Sequence, residues 1–146
     1  MSLDLLVNAI IGVSLINSDF HMPPFSWDTV PVFIHMCNAS GPFNDSTLEY
    51  LTKFPMITIE KGQGINATME PYASQYVEDK ILDTFRRVKQ INSSIVTIMY
   101  MNSILDWTFY RLHQEFIQNP NWWLRDMYNN LILISGDKNC MLYGIF

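Results

Sequence analysis

The sequence predicts an α/β protein with about four parallel strands and three intervening helices. Three observations carry this. Apolar, β-branched runs recur at Val30 to Met36, Met56 to Ile59 and Ile95 to Met101, and each ends in polar residues. The stretches between them repeat apolar residues at helical spacing. Apolar residues make up 49% of the 146 and charged ones 16%, which argues for a folded domain and against disorder, with a large apolar share left for the surface. Alternation of this kind fits a closed barrel and an open doubly wound sheet equally well.

At the amino terminus, Leu5 to Ile16 is a mostly apolar run, too short to cross a bilayer and the right length for the core of a signal peptide. Ser18 offers a small residue for cleavage before Asp19, so residues 1–18 are expected to be a signal peptide and 19–146 one domain. Asp4 precedes the run, and the positive flank comes from the terminus alone. Tripeptides beginning at Asn38, Asn44, Asn66 and Asn92 fit the N-glycosylation acceptor pattern, and all four fall in expected loops. Both features point to a secreted glycoprotein.

The first strand is expected over Val30 to Met36, with Pro31 near its start, where a missing N–H is tolerated. His35 lies near its carboxyl end, as a packed core histidine or a substrate-binding one. Ser46-Thr47-Leu48-Glu49 reads as a capping box opening a short helix whose apolar side is Leu48, Leu51 and Phe54, and Pro55 stops it. The second strand follows at once and ends in Glu60-Lys61-Gly62-Gln63-Gly64. In a βα domain the strand interior packs while the carboxyl end carries chemistry, so Glu60 and Lys61 are either a solvated strand exit or the start of a site.

A long helix is expected from Pro71 to Ile91, with Val77, Ile81, Phe85 and Val88 on its buried side. Glu78, Asp79, Lys80, Arg86, Arg87 and Lys89 form a solvated side. In the third strand, period two puts Ile98, Tyr100 and Asn102 on one face, where Tyr100 and Asn102 can meet Glu60. Asp106 is expected to cap a helix with the stripe Phe109, Leu112 and Phe116, or to act as a catalytic group. Trp122 and Trp123 favour packing over a stacking surface. A short strand over Leu131 to Ser135, a turn, and a fourth buried strand over Met141 to Phe146 complete the reading, the chain stopping in mid-strand.

A net charge of −5, with no basic run, excludes nucleic acid as the main partner. Two cysteines and three scattered histidines provide no metal spacing, so no metal and no cofactor are expected, and no transmembrane span is predicted.

The blocks Phe25-Ser26-Trp27-Asp28-Thr29-Val30-Pro31-Val32, Met56 to Gly64, Tyr100 to Trp107 and Trp122-Trp123-Leu124-Arg125-Asp126 resemble a family of uncharacterised eukaryotic proteins classed as glycoside-hydrolase-like, with a TIM-barrel fold. The resemblance runs from Phe25 to Phe146 and implies the amino-terminal half of a (β/α)₈ barrel, a partial and truncated one. It also implies a carbohydrate substrate. Glycoside hydrolysis needs two carboxyl groups, and the candidates are Glu60 and Asp106. His35, Lys61, Tyr100, Asn102 and Trp107 are the candidate substrate-binding residues. A charge on Lys61 would keep Glu60 anionic, but neighbouring strand residues point to opposite faces, which argues against the coupling. A half barrel leaves open strand edges, so the module is expected to form a homodimer through them, to aggregate or to require its missing half. The alternative is a secreted, non-catalytic carbohydrate-binding or interaction module. In a parallel barrel Cys37 and Cys140 stand about a strand length apart, on the order of 15 Å, so no disulfide is expected between them.

Overall fold

The computed structural model describes residues 26–28, 30, 32–102, 105–132 and 140–142, the last three by their backbone alone. The expected signal peptide, most of the expected strand over 131–135 and part of the expected fourth strand lie outside the described residues. Strands β1 (Ile34–Met36), β2 (Met56–Glu60) and β3 (Val96–Tyr100) form a parallel sheet in the order β1-β2-β3. Helices α1 (Asp45–Leu51) and α2 (Val77–Ile91) are the crossovers between them. The architecture is therefore mixed α/β, with a small parallel three-stranded sheet and three helices, the third being α3 (Arg111–Gln118).

The core lies between one face of this sheet and the helices. Ile57 and Ile59 are fully buried there with Leu48, Leu51, Val77, Ile81, Val88 and Ile95, and Ile34, Met36 and Met99 pack against them. The register pairs Met36 with Ile59 and Ile59 with Met99, so these residues share the covered face. Among the described residues no helix packs on the opposite face, where the sequence led us to expect a cover as well. His35, Ile98 and Tyr100 lie on it, with Ile98 37% and Tyr100 45% exposed. A run such as Met56-Ile57-Thr58-Ile59 is apolar enough to suggest two-sided burial, and only the layer packing shows that the described helices cover one side.

Local chemistry moves several boundaries. Helix α1 starts at Asp45, ahead of the expected capping box, because the side-chain oxygen of Asn44 accepts from the Thr47 N–H at 2.8 Å and from the Ser46 hydroxyl at 2.9 Å. Helix α2 starts at Val77, and residues 71–75 form turns in which Glu70 accepts from the Ser74 N–H at 3.2 Å. Arg87 ties α2 to the segment before α1, donating to the Phe43 carbonyl at 2.9 Å and pairing with Asp45 at 3.0 Å. The expected solvated side of α2 is thus partly engaged, and Lys80 on it is buried.

Asp106 is not a helix cap. It is the middle residue of strand β4 (Leu105–Trp107), and α3 begins at Arg111, behind Tyr110. Tyr110 makes no side-chain capping bond. The Glu78 carboxylate on α2 accepts from the Arg111 N–H at 2.9 and 3.0 Å and from the Leu112 N–H at 3.4 Å. A cap supplied from another helix leaves no trace in the local sequence, which is why the expectation fell on Asp106.

Strand β5 (Cys140–Leu142) pairs antiparallel with β4 in a separate two-stranded sheet, with Trp107 opposite Cys140. The carboxyl-terminal strand therefore does not extend the parallel sheet as a fourth member over these residues, and the barrel geometry behind the expected Cys37 to Cys140 separation is absent there. Cys37 is a free thiol. Trp122 closes a turn of 3₁₀ helix (Pro120–Trp122), and Trp123 is buried on Phe116, with ring centroids 4.8 Å apart. The tryptophan pair packs, as its composition suggested.

Candidate functional site

The carboxyl ends of β1, β2 and β3 bring four of the predicted site residues together on the open face. Glu60 stands directly opposite Tyr100 in the β2–β3 register, and His35 lies across β2 from Ile98. The His35 and Tyr100 rings meet edge to face, with centroids 5.6 Å apart and planes at 74°. Lys61 has left the strand for the turn over residues 61–66, so the alternation that argued against its coupling to Glu60 no longer applies. Its ammonium bonds Glu60 Oε1 and lies 4.7 Å from the centroid of the Tyr100 ring.

The second carboxylate oxygen, Oε2, accepts from the Gly62 N–H at 2.6 Å. Space beside this glycine is tight. A Cβ there would lie 2.9 Å from Oε2 and 3.2 Å from Cys37 Sγ. Partial burial pushes the Glu60 carboxyl up, but the bonds from Lys61 and Gly62, with the nearby Lys61 and His35 charges, outweigh it and hold the group below its ordinary value. Glu60 is therefore an anion near neutral pH. Burial and the Glu60 charge push the Cys37 thiol up against the opposing pull of Lys61, which keeps it protonated and a poor nucleophile.

The turn that presents Lys61 and Gly62 is anchored from below by residues that no motif singled out. Gln63 is fully buried; its carbonyl accepts from the Asn38 N–H at 2.9 Å, and its amide donates to the Gly41 carbonyl and to the Tyr72 hydroxyl, both at 2.9 Å. Gly64 has a φ of 65°, and a Cβ there would lie 2.5 Å from Tyr72 Cε1 and 2.9 Å from Lys80 Cδ. Lys80 donates to the Gly64 carbonyl at 2.9 Å and to that of Ala73 at 3.2 Å, and burial pushes its ammonium down. A buried Gln surrounded by backbone groups has no sequence signature, because its partners are 9, 22 and 25 residues away.

Three predicted site residues do not join this rim. Asp106 is fully buried and its carboxylate bonds Nδ1 of His113, itself 7% exposed and set against Trp123. Trp107 is stacked on Phe109 with centroids 5.6 Å apart and packs against the core, so it presents no free platform. The Asn102 side-chain oxygen accepts from the Leu105 N–H at 3.0 Å, bracing the entry to β4. Sequence reasoning missed the Asp106–His113 pair because seven residues separate its members and a strand-to-helix turn brings them together.

Of the four acceptor asparagines, Asn38 donates its side-chain amide to the Pro42 carbonyl at 3.2 Å, Asn44 caps α1, and Asn92 accepts from Ser94 at the end of α2. Asn66 is exposed in the turn after Lys61. Among the described residues no group of three or more His, Cys, Asp or Glu could hold a metal ion. Among the same residues no helix is long and apolar enough to cross a membrane. Comparison of the chain with protein-family models and with curated proteins gives no match to either.

Proposed function

We propose that the chain is a glycoside-hydrolase-like protein that acts on carbohydrate at the carboxyl rim of its parallel sheet. The observation that carries this reading is the convergence of an ionised carboxylate, Glu60, with an ammonium, an imidazole and a phenol on one open face. An anionic Glu60 serves as nucleophile at the anomeric carbon or as the base that activates water, and not as the proton donor. Each of its oxygens already accepts one hydrogen bond and keeps capacity for a sugar hydroxyl. His35 and the Tyr100 hydroxyl supply further hydrogen-bonding groups beside it.

The proton donor belongs to a second group, and the burial of Asp106 against His113 removes the expected candidate. A homodimer joined through the open edges of β1 and β3 would bring a second rim close, and partial-barrel architecture would be completed in that way. The same reading makes the chain a secreted glycoprotein, with its leader in residues 1–18 and glycans on its acceptor asparagines.

The burial of Asp106 also favours a second reading, a non-catalytic carbohydrate-binding module in which Glu60 only recognises hydroxyls. One experiment separates the two: calorimetric titration with a panel of oligosaccharides, run beside chromogenic glycosides, on the native chain and on Glu60→Gln. Hydrolysis by the native chain that falls at least a hundredfold in Glu60→Gln, with binding retained, supports the enzyme. Binding without hydrolysis supports the module. No binding by the native chain overturns both.

A further inference from the structure

We propose that Tyr100 is a positioning residue for Glu60 that acts through Lys61: its ring docks the ammonium at the point from which Lys61 grips the carboxylate. The inference rests on the role given to Glu60 above as the working carboxylate of the rim.

Tyr100 stands opposite Glu60 in the register, yet the structure connects the two through Lys61, whose Nζ lies 4.7 Å from the Tyr100 ring centroid and bonds Glu60 Oε1. Lysine is long and flexible, and in a turn on an open face its ammonium has water to choose instead. The aromatic face limits that choice by attracting the charge. The ring itself is held from the β1 side, where His35 meets it edge to face at 5.6 Å. On the other flank of the carboxylate, Gly62 donates its N–H to Oε2, and Cys37 stands close enough that a Cβ on Gly62 would meet its sulfur. The chain of support therefore runs His35 to Tyr100 to Lys61 to Glu60, and it spans all three parallel strands.

Glu60 titration reads this arrangement directly. The groups that share its field are Lys61 on its own turn, His35 and Cys37 from the β1 side, and Tyr110 from the start of α3. With the full chain labelled in its glutamate side chains, the Glu60 carboxyl carbon is followed by NMR against pH in the native protein, Tyr100→Phe, Tyr100→Leu, Lys61→Met and the Tyr100→Leu/Lys61→Met double variant. Tyr100→Leu is expected to raise the midpoint by roughly half a pH unit, while Tyr100→Phe, which keeps the aromatic face, leaves it in place. Lys61→Met is expected to raise it further, and adding Tyr100→Leu to Lys61→Met is expected to change nothing more. A Tyr100→Leu shift that persists in full without Lys61, or no shift in a folded Tyr100→Leu, overturns the proposal. The native protein supplies a check that needs no variant: the Lys61 ε-methylene protons are expected upfield of random coil from the Tyr100 ring current, and an unshifted resonance overturns the docking. Sugar binding is read separately, so the carbohydrate reading can fail while the positioning role stands, and the reverse.

Discussion

Gly62 is the position where one added carbon would press on the Glu60 carboxylate. Its Cβ would meet Glu60 Oε2 at 2.9 Å and Cys37 Sγ at 3.2 Å, so in Gly62→Ala the carboxylate is expected to shift away from the backbone amide. Loss of one charge-assisted hydrogen bond is expected to weaken oligosaccharide affinity or turnover by about tenfold, measured by calorimetry or glycoside hydrolysis, with little change in melting temperature. Gly64→Ala should behave oppositely. A φ of 65° and a 2.5 Å approach to Tyr72 predict a loss of about 2 kcal/mol or more in urea unfolding, because the buried backbone and ring have to move. Glu60 also sets a pH dependence. Its folded pKa lies below its ordinary value of 4.5, so its favourable contribution is fully present above that value and is lost as pH falls through the lower, folded one. Unfolding measured between about pH 5 and pH 3 should therefore show a stabilising increment that Glu60→Gln lacks.

At the scale of elements, two joints hold α3 in place, one from α2 and one from β4. Glu78 on α2 caps α3, and Arg111 on α3 pairs with Asp79 on α2. The ion pair is largely exposed and adds little, whereas the cap serves backbone N–H groups that α3 leaves without intrahelical partners. Glu78→Ala is accordingly expected to cost about 1 kcal/mol in chemical denaturation, and Asp79→Ala much less. The second joint is the buried Asp106–His113 pair between β4 and α3. Removing one member of a buried pair leaves the other without its partner, so Asp106→Ala is expected to destabilise by about 3 kcal/mol and to loosen α3, seen as faster amide exchange over Arg111–Gln118.

For the whole molecule, the decisive feature is a parallel sheet that the described helices cover on one face and leave open on the other. Parallel sheets are normally covered on both faces, and β1 and β3 are each paired on one side only within the three-stranded sheet. Light scattering on the full chain is expected to show association, as the homodimer proposal requires. Ile98→Lys, which places a charge in the middle of the open face, should shift the population to monomer without lowering the unfolding midpoint. Association that survives Ile98→Lys unchanged would move the contact elsewhere.

The βα alternation was legible in the chain because it depends on near neighbours. β2 over Met56–Glu60 and the carboxyl end of α2 at Ile91 stand where the apolar periods put them, and His35, Glu60 and Tyr100 were recognisable as strand-end residues for the same reason. Their shared face follows from period two once the strands are parallel and in register. Everything settled by a distant partner was illegible. Asp106 looked like a cap because Ser, Thr, Asn and Asp before a helical stripe usually are caps, and it became a buried strand residue because His113 satisfies it and Glu78 caps α3 instead. Lys61 looked uncoupled from Glu60 under strand alternation, and the turn at residues 61–66 released it from that rule. Lys80 looked solvated, yet it is buried, as is Gln63, because backbone groups of remote loops converge on them. Local pattern thus determined which residues form strands and helices and which stand at the strand ends. Tertiary structure alone decided which carboxylate remains at the surface, since exposure depends on what packs above a residue and no period in the chain records that.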